Sequence, residues 1–332
     1  MQKTDFDLLF KSFAEIKVGV VGDVMLDTYW WGKVERISPE APVPVVAVTS
    51  REERIGGAGN VALNVKALGA TVHVITVLGS DADGDQLTGL LKKSGIHTDY
   101  FVKSDERITT NKIRIISRNQ HMMRLDAEIT SMLSTKEEDQ LIASFTRYIE
   151  AEKPQIVILE DYNKGVLTEN VIKKVISLCR EKGILTAVDP KRKNFFSYRH
   201  VNIFKPNLHE AKEGLNIISD EVTPALLNGL HDALYKKLEH DISFITLSEK
   251  GVFYHSKDEH RVIPTHIRSI ADVSGAGDTV IAVASVVYAA TKNVHLMAEM
   301  ANIAGGLVCE EVGTVAIDKH KLLHECRHLL AS

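Results

Sequence analysis

Short runs rich in valine, isoleucine and leucine recur along this chain, set apart by longer stretches in which apolar residues return every three to four positions. Ile16–Met25, Val43–Thr49 and Val72–Leu78 read as strands, with a helix at Gly57–Leu68 between the last two. Strand and helix then alternate. Helix Glu137–Glu152 leads to strand Gln155–Leu159, and helix Thr168–Lys182 leads to strand Ile184–Val188. Strands Val201–Phe204 and Ser243–Leu247 follow, with helical stretches at Leu208–Leu215 and Thr223–Leu238. Continuous apolar strands separated by amphipathic helices predict an α/β fold, with a mostly parallel sheet covered by helices on both faces. The last third is mostly helical, at Thr279–Ala290, His295–Glu310 and Lys319–Leu330, and should pack against the end of the sheet.

Two stretches break the alternation. Trp30–Thr49 carries Pro39, Pro42 and Pro44 without a helical period, and Ile108–Asp126 is a long strand-like segment rich in Arg and Lys. Both read as antiparallel structure standing off the main sheet. Exposed apolar residues there, Trp30, Trp31 and Val43 among them, would suit a small β lid over a site or a homodimer contact. With no internal repeat or interdomain linker, the pattern predicts one domain over residues 1–332, with lid segments at about 30–49 and 108–126 inserted in it.

A hydrophobic fraction of 44% supports a sizeable core, and the net charge of −4 comes from both signs mixed along the chain. That balance argues against nucleic acid or a membrane surface as the main partner, so an anionic substrate would need a local basic cluster. The run Val280–Ala290 is too short to span a bilayer, and the acids Asp5, Asp7 and Glu15 interrupt any signal-like segment at the start. Cys179, Cys309 and Cys326 lack metal-ligand spacing, as expected of reduced thiols. A soluble cytoplasmic protein is the expectation.

The stretch Asp272-Val273-Ser274-Gly275-Ala276-Gly277-Asp278 precedes the most apolar helix. So little side chain brings backbone N–H groups together at the helix head, where the unpaired donors and the dipole favour an anion such as phosphate. Asp278 then places a carboxylate beside the anion, where it can take the proton of an attacking hydroxyl. Gly-Asp before a helix is also an ordinary N-cap.

Other polar residues stand directly behind apolar strands, where open parallel sheets present their ligand loops. Asp23 and Asp27 suit sugar hydroxyls or a loop cap, and Gly56-Gly57 with Asn60 opens a helix where small residues permit close approach. Asn207 and Glu210 fit either an N-cap with a first-turn acid or a water-mediated magnesium site. Thr246 to Gly251, Asp161-Tyr162-Asn163-Lys164 and Asp189-Pro190-Lys191 complete the rim. Lys112, Arg114 and Arg118, followed by Arg124, read as a solvated edge strand or as a clamp for a phosphate on the substrate.

Together, Gly56-Gly57 with Asn60 and Asp272–Asp278 resemble the two signatures of the ribokinase-like, PfkB-type carbohydrate kinases, over nearly the whole chain. A narrower resemblance, to the branch acting on heptose 7-phosphate, is carried by Gly22–Trp30, Arg36–Val45, Ser117-Arg118-Asn119-Gln120 and Arg124-Leu125-Asp126. It implies transfer of the γ-phosphate of ATP to O1 of the sugar phosphate, for lipopolysaccharide core synthesis. The nucleotidyltransferase half fused to some members, with its His-x-Gly-His signature, is not in this sequence, so a separate protein is expected to perform adenylyl transfer.

By residue, the resemblance implies Asp278 as base and Gly275, Ala276 and Gly277 as the anion hole. Asn207, Leu208, His209, Glu210, Thr246, Ser248, Gly251, Asp272 and Asn302 would face ATP. Magnesium would be held by Glu210, through water, and Asp272; a monovalent cation is a further candidate. Asp23, Asp27, Gly57 and Asn60 would hold the sugar, and Lys112, Arg114, Arg118 and Arg124 its phosphate. Val273 replaces the usual threonine of the C-terminal signature, and Ser248 replaces a glycine frequent after Thr246-Leu247.

Overall fold

Strands whose every side chain is apolar must be covered twice, and the computed structural model, which describes residues 4–330 apart from Asn119, Asp220 and Ile267, shows how. An eight-stranded sheet runs in the order His260–Ile263, Val252–His255, Ile242–Thr246, Ile203–Phe204, Leu185–Asp189, Ile156–Glu160, Lys17–Gly22 and Thr71–Ile75. All neighbours from Ile242–Thr246 to Thr71–Ile75 are parallel, and the two strands at the other edge are antiparallel. Alternate residues feed two cores. Ile156 and Ile158 pack with helices Ala58–Leu68, Ala276–Thr291 and Val294–Val308, while Val157 and Leu159 pack with Thr135–Glu152 and Glu169–Glu181. Each such side chain contributes about 1.5–3 kcal/mol by leaving water. Parallel pairing sends every strand's C-terminal end, and the polar residue behind it, to one rim.

The lid is a separate four-stranded sheet in the order Pro44–Gly57, Val24–Ile37, Asn111–Ser117 and Gln120–Ala127. Three boundaries differ from the sequence reading. The run Ile16–Met25 is two strands, because the chain leaves the main sheet at Asp23 and Val24 already belongs to the lid. Val43–Thr49 is the outer half of lid strand Pro44–Gly57. Ile108–Asp126 is a hairpin that turns at Arg118, whose φ is +49°; Asn119 lies outside the described residues. Helix Ala82–Lys93 has no counterpart in the sequence reading; Asp81 caps it by accepting from Gly84 N at 2.8 Å. Trp30 and Trp31 are half-buried, Trp30 beneath the Arg51 guanidinium and Trp31 stacked on Tyr29, whereas Val43 is exposed.

Candidate active site

Helix Ala276–Thr291 begins at the rim. Its N-cap Gly275 has φ +77°, and a Cβ there would stand 2.9 Å from Asn60 Nδ2, so both backbone and space require glycine. The amides of Gly277 and Asp278 lie in the first turn, where a helix offers no acceptor of its own. Asp272 locks the loop ahead of them. Its Oδ1 accepts from Ser274 N at 2.9 Å and Ser274 Oγ at 2.8 Å, and its Oδ2 accepts from Gly313 N at 3.0 Å. This is the work of a loop anchor and not the free carboxylate that the metal assignment called for. Val273 points outward, 68% exposed, and the Ser274 hydroxyl supplies the hydrogen bond within the turn.

Asp278 is buried and held on both oxygens. Asn60 Nδ2 donates to Oδ2 and the Tyr162 hydroxyl donates to Oδ1, each at 2.7 Å. Burial pushes its carboxyl up to about 6, against the two hydrogen bonds that favour the charged form. Asn60 is fixed in turn: Asn64 Nδ2 donates to its carbonyl at 2.9 Å, and Asn64 Oδ1 accepts from Thr279 Oγ1 at 3.0 Å and Ile317 N at 2.9 Å. Lys205 is buried behind the turn, its Nζ 2.7 Å from Asp189 Oδ2. A Cβ on Gly277 would lie 3.9 Å from that ammonium, so Lys205 borders the anion cradle. Burial works to raise the Asp189 carboxyl, but Lys205 and Lys191 outweigh it and hold it below the ordinary range. Glu160 completes the floor, with Asp189 and Asp278 oxygens within 4.8 Å of its own. Neither Glu160 oxygen has a partner, and burial, reinforced by Asp189 and Asp278, holds its carboxyl well above the usual range.

The sugar side differs from expectation at Asp23. That carboxylate is fully buried and accepts from the amides of Tyr162 at 2.8 Å, Lys164 at 3.0 Å and Val166 at 3.1 Å. Asp23 therefore clamps the loop that carries Tyr162 and has no oxygen aimed at a ligand. Asp27 faces the lid, where Arg114 Nη1 donates to its Oδ1 at 2.5 Å and Oδ2 rests against Gly56, whose Cβ would come within 2.2 Å. Gly57, with φ +60°, starts the helix that bears Asn60. The guanidinium groups of Arg54 and Arg114 both lie over the Tyr29 ring, at 4.9 and 5.2 Å.

The remaining cations do not join them. Lys112 is paired with Asp126 at 3.1 Å and Glu128 at 3.3 Å, and Arg124 with Asp126 of its own strand at 2.9 Å. Exposed Arg118 lies beyond the strand end at Ser117, in the turn, and so stands outside the row. The basic row expected from alternation is thus broken, and Arg54, on a different strand and paired with Glu52 at 2.6 Å, is the cation that shares the Tyr29 ring with Arg114.

On the nucleotide side, Asn207 and Glu210 form a reciprocal capping box for helix Leu208–Leu215, with both bonds 2.8 Å. Glu210 Oε1 accepts from Lys191 at 2.6 Å, leaving a water-mediated contact as the way this carboxylate reaches a metal. Leu208 is half-buried and His209 exposed. Asn207 bridges to Thr246. Ser248 takes φ +54°, the left-handed conformation for which glycine is the usual residue, and Gly251 closes the turn onto Ile263. Asn302 Nδ2 donates to the Pro264 carbonyl at 2.9 Å, which makes it a loop anchor as well.

Tyr162 was visible in the sequence only as part of a polar strand end, Glu160 and Lys205 were missed, and Asn64 and Arg54 carried no signal. Two strand-end residues could have been found by position alone: Glu160 and Lys205 are the first polar residues after the apolar runs ending at Leu159 and Phe204.

Comparison with known proteins agrees with this geometry. Residues 15–321 match the family model described as pfkB family carbohydrate kinase. The bifunctional protein HldE of Geotalea uraniireducens is 37% identical over 331 residues, 99% of this chain and 66% of that protein. That of Methylobacillus flagellatus is 39% identical over 306 residues, 92% of this chain and 62% of its own length. The chain therefore spans somewhat less than two-thirds of these curated relatives. Among solved structures, phosphofructokinase-2 from Escherichia coli in complex with potassium superposes with TM-score 0.78 at 16% identity, covering 96% of this chain and 99% of that one. Arabidopsis thaliana ribokinase complexed with ribose and ATP gives 0.70 at 17% identity, covering 93% and 98%. The fold is ribokinase-like, and the chain belongs to the pfkB family of carbohydrate kinases, phosphotransferases that act on a sugar hydroxyl.

Proposed function

We propose that the chain transfers the γ-phosphate of ATP to O1 of D-glycero-β-D-manno-heptose 7-phosphate, giving the 1,7-bisphosphate for ADP-heptose and lipopolysaccharide core synthesis. The observation that carries the reading is the buried Asp278 carboxylate, held by Asn60 and Tyr162 at the mouth of the Gly275–Gly277 turn. The sugar hydroxyl gives its proton to Asp278 as its oxygen bonds to the γ-phosphorus, and the bond to the ADP oxygen breaks. Turn amides and Lys205 meet the charge on the migrating group. Magnesium, when bound, would neutralise the nucleotide phosphates, and Glu210 is the carboxylate placed to hold it through water. The relative crystallised with potassium is the support for a monovalent cation.

A substrate that already carries a phosphate is favoured by Arg54 and Arg114, which flank Tyr29 beside Asp27. The HldE relatives point to the heptose. Exposed Val43, Val48, Met123 and Leu125 on the lid suit a homodimer contact. Absence of a membrane-crossing helix among the described residues fits a cytoplasmic location. The test is an ATP-dependent phosphorylation screen over free sugars, nucleosides and sugar phosphates, with the product position read by NMR. The expected product is phosphorylated at C1 and C7 of the heptose. Preference for an uncharged sugar or a nucleoside would overturn the substrate assignment, and no ADP release with any acceptor would overturn the activity.

A further inference from the structure

On the opposite edge of the main sheet, strand Thr71–Ile75 carries His73, whose ring lies against Tyr148 and Tyr100 at centroid distances of 5.3 and 5.7 Å. His73 is 4% exposed, and its Nδ1 is buried without any hydrogen-bond partner. An uncompensated buried polar atom is costly, by about 1–3 kcal/mol, so a group that satisfies it gains by doing so. The residues around it are ligand types. His97 is held beside it by backbone bonds, His97 N to Val72 O and Val74 N to His97 O, both 3.1 Å. Asp99 follows two residues later. One nitrogen of each ring and one Asp99 oxygen lie within 4.8 Å of one another.

We infer that His73, His97 and Asp99 form a binding site for a divalent transition metal, with zinc the best chemical match, at the sheet edge and apart from the catalytic cluster. Two imidazoles and a carboxylate are the donors that borderline cations such as Zn2+ and Co2+ prefer over magnesium or calcium. The far side of His73 is also prepared. Its Nε2 faces Glu152 Oε1 at 3.8 Å, beyond a hydrogen bond but on the side where a carboxylate orients a metal-binding imidazole once the two close up.

The two rings now stack, 18° from parallel with centroids 4.4 Å apart. A shared ion needs the His97 lone pair turned toward Nδ1 of His73, and the His97 side chain, 51% exposed, has room to rotate. Asp99 is exposed and moves as freely. His73 pairs with Gly19, whereas the catalytic end of that strand is Gly22 beside Glu160, three residues or roughly 10 Å further along. Binding would add a side-chain tie to the backbone bridge that already joins His97 to this edge strand.

The full chain, stripped with chelator, should take up one Co2+ with the visible absorption bands of a low-coordinate nitrogen and oxygen site, and Zn2+ should displace it. His97→Ala and Asp99→Asn alter exposed side chains and should weaken binding by roughly ten- to a hundredfold or more. Both should leave circular dichroism and kinase turnover as they are. His260→Ala, in the separate histidine cluster of the other sheet edge, should bind as the wild type does. Zinc should raise the melting temperature of the wild type and not of His97→Ala. Equal binding by wild type and the His97→Ala/Asp99→Asn double variant would overturn the assignment, as would no uptake at millimolar metal or loss of the site in His260→Ala.

Discussion

Replacing Asp278 by Asn separates what this residue does for the reaction from what it costs the fold. The carboxyl titrates near its ordinary 3.8 when unfolded and at about 6 when folded, with burial the largest cause. Between those values the folded chain keeps a proton that the unfolded chain has lost. Wild-type stability therefore falls as pH rises through this window, and the penalty is complete above pH 6. A shift of about 2 units amounts to roughly 3 kcal/mol. Asparagine keeps the shape, accepts from Asn60 and donates to the Tyr162 oxygen, so Asp278→Asn should be more stable than wild type at pH 7.5 by up to about 3 kcal/mol. Near pH 4 the two should converge. Its kcat should meanwhile fall by roughly 10²–10⁴, the usual contribution of a general base. The wild-type rise in kcat/KM through pH 6 should vanish with it. Urea unfolding at pH 4, 5, 6 and 7.5, with a coupled ADP-release assay, measures both. Wild-type turnover by the variant would refute the base, and a stability difference that did not change with pH would refute the raised carboxyl.

Two glycines of the turn should behave differently. Gly277→Ala would bring its Cβ into ordinary contact with Asp189 Oδ2 at 3.7 Å and Lys205 Nζ at 3.9 Å without clash, so its melting temperature should hold while turnover falls and KM for ATP rises, whereas Gly275→Ala should lose about 1–3 kcal/mol of stability through left-handed strain and a displaced Asn60; equal behaviour of the two in denaturation and kinetics would count against the cradle. Arg114→Gln and Arg54→Gln should raise KM for a sugar phosphate by roughly tenfold or more and leave KM for ATP in place, from the loss of a charge-assisted pair at about 1.5–3 kcal/mol; an unchanged KM would move the substrate phosphate elsewhere. Burial, then neighbouring histidines, pushes His231 down to about 4 and His240 down to about 3. Both are neutral in the fold, so their stability is fully present above pH 6.5 and is lost as pH falls toward 4 and 3, by a few kcal/mol each. His240→Gln should flatten the acid limb of a urea-unfolding series, and an unaltered slope would place the acid sensitivity in other groups.

How much of this could be read from the chain follows from where the information resides. Ile156–Glu160 is buried along its whole length and Leu185–Asp189 from its second residue on, so local composition suffices to call them parallel strands, and parallel pairing alone carries their polar ends to one rim. The lid was harder. Val24, Met25 and Leu26 are as apolar as Val18, Val20 and Val21 before them, and nothing local tells that the chain changes sheets at Asp23. What decides it is a set of three amides from residues 162–166, contacts with no trace in the local pattern. Carboxylates were hard to sort for the same reason: Asp23, Asp272 and Asp278 look alike in the sequence, and only the structure shows the first two bonded to backbone amides and the third held by the Asn60 and Tyr162 side chains.

The same contacts explain why the site needs the lid. Strand Pro44–Gly57 runs directly into helix Ala58–Leu68, so Asn60 stands three residues beyond the lid and bonds the Asp278 carboxylate. Tyr162, the other partner, sits on the loop that Asp23 grips, and Asp23 is the residue at which the chain turns into the lid. Both hydrogen bonds that set the charge of Asp278 are therefore tied to the two points where lid strands leave the main body. A lid displaced by even an ångström at Gly57 or Asp23 would lengthen them, raise the carboxyl further and leave it protonated near neutral pH. Lid position and the state of the proposed base are thus one variable, and a phosphate drawn in by Arg54 and Arg114 would act on it from the lid side.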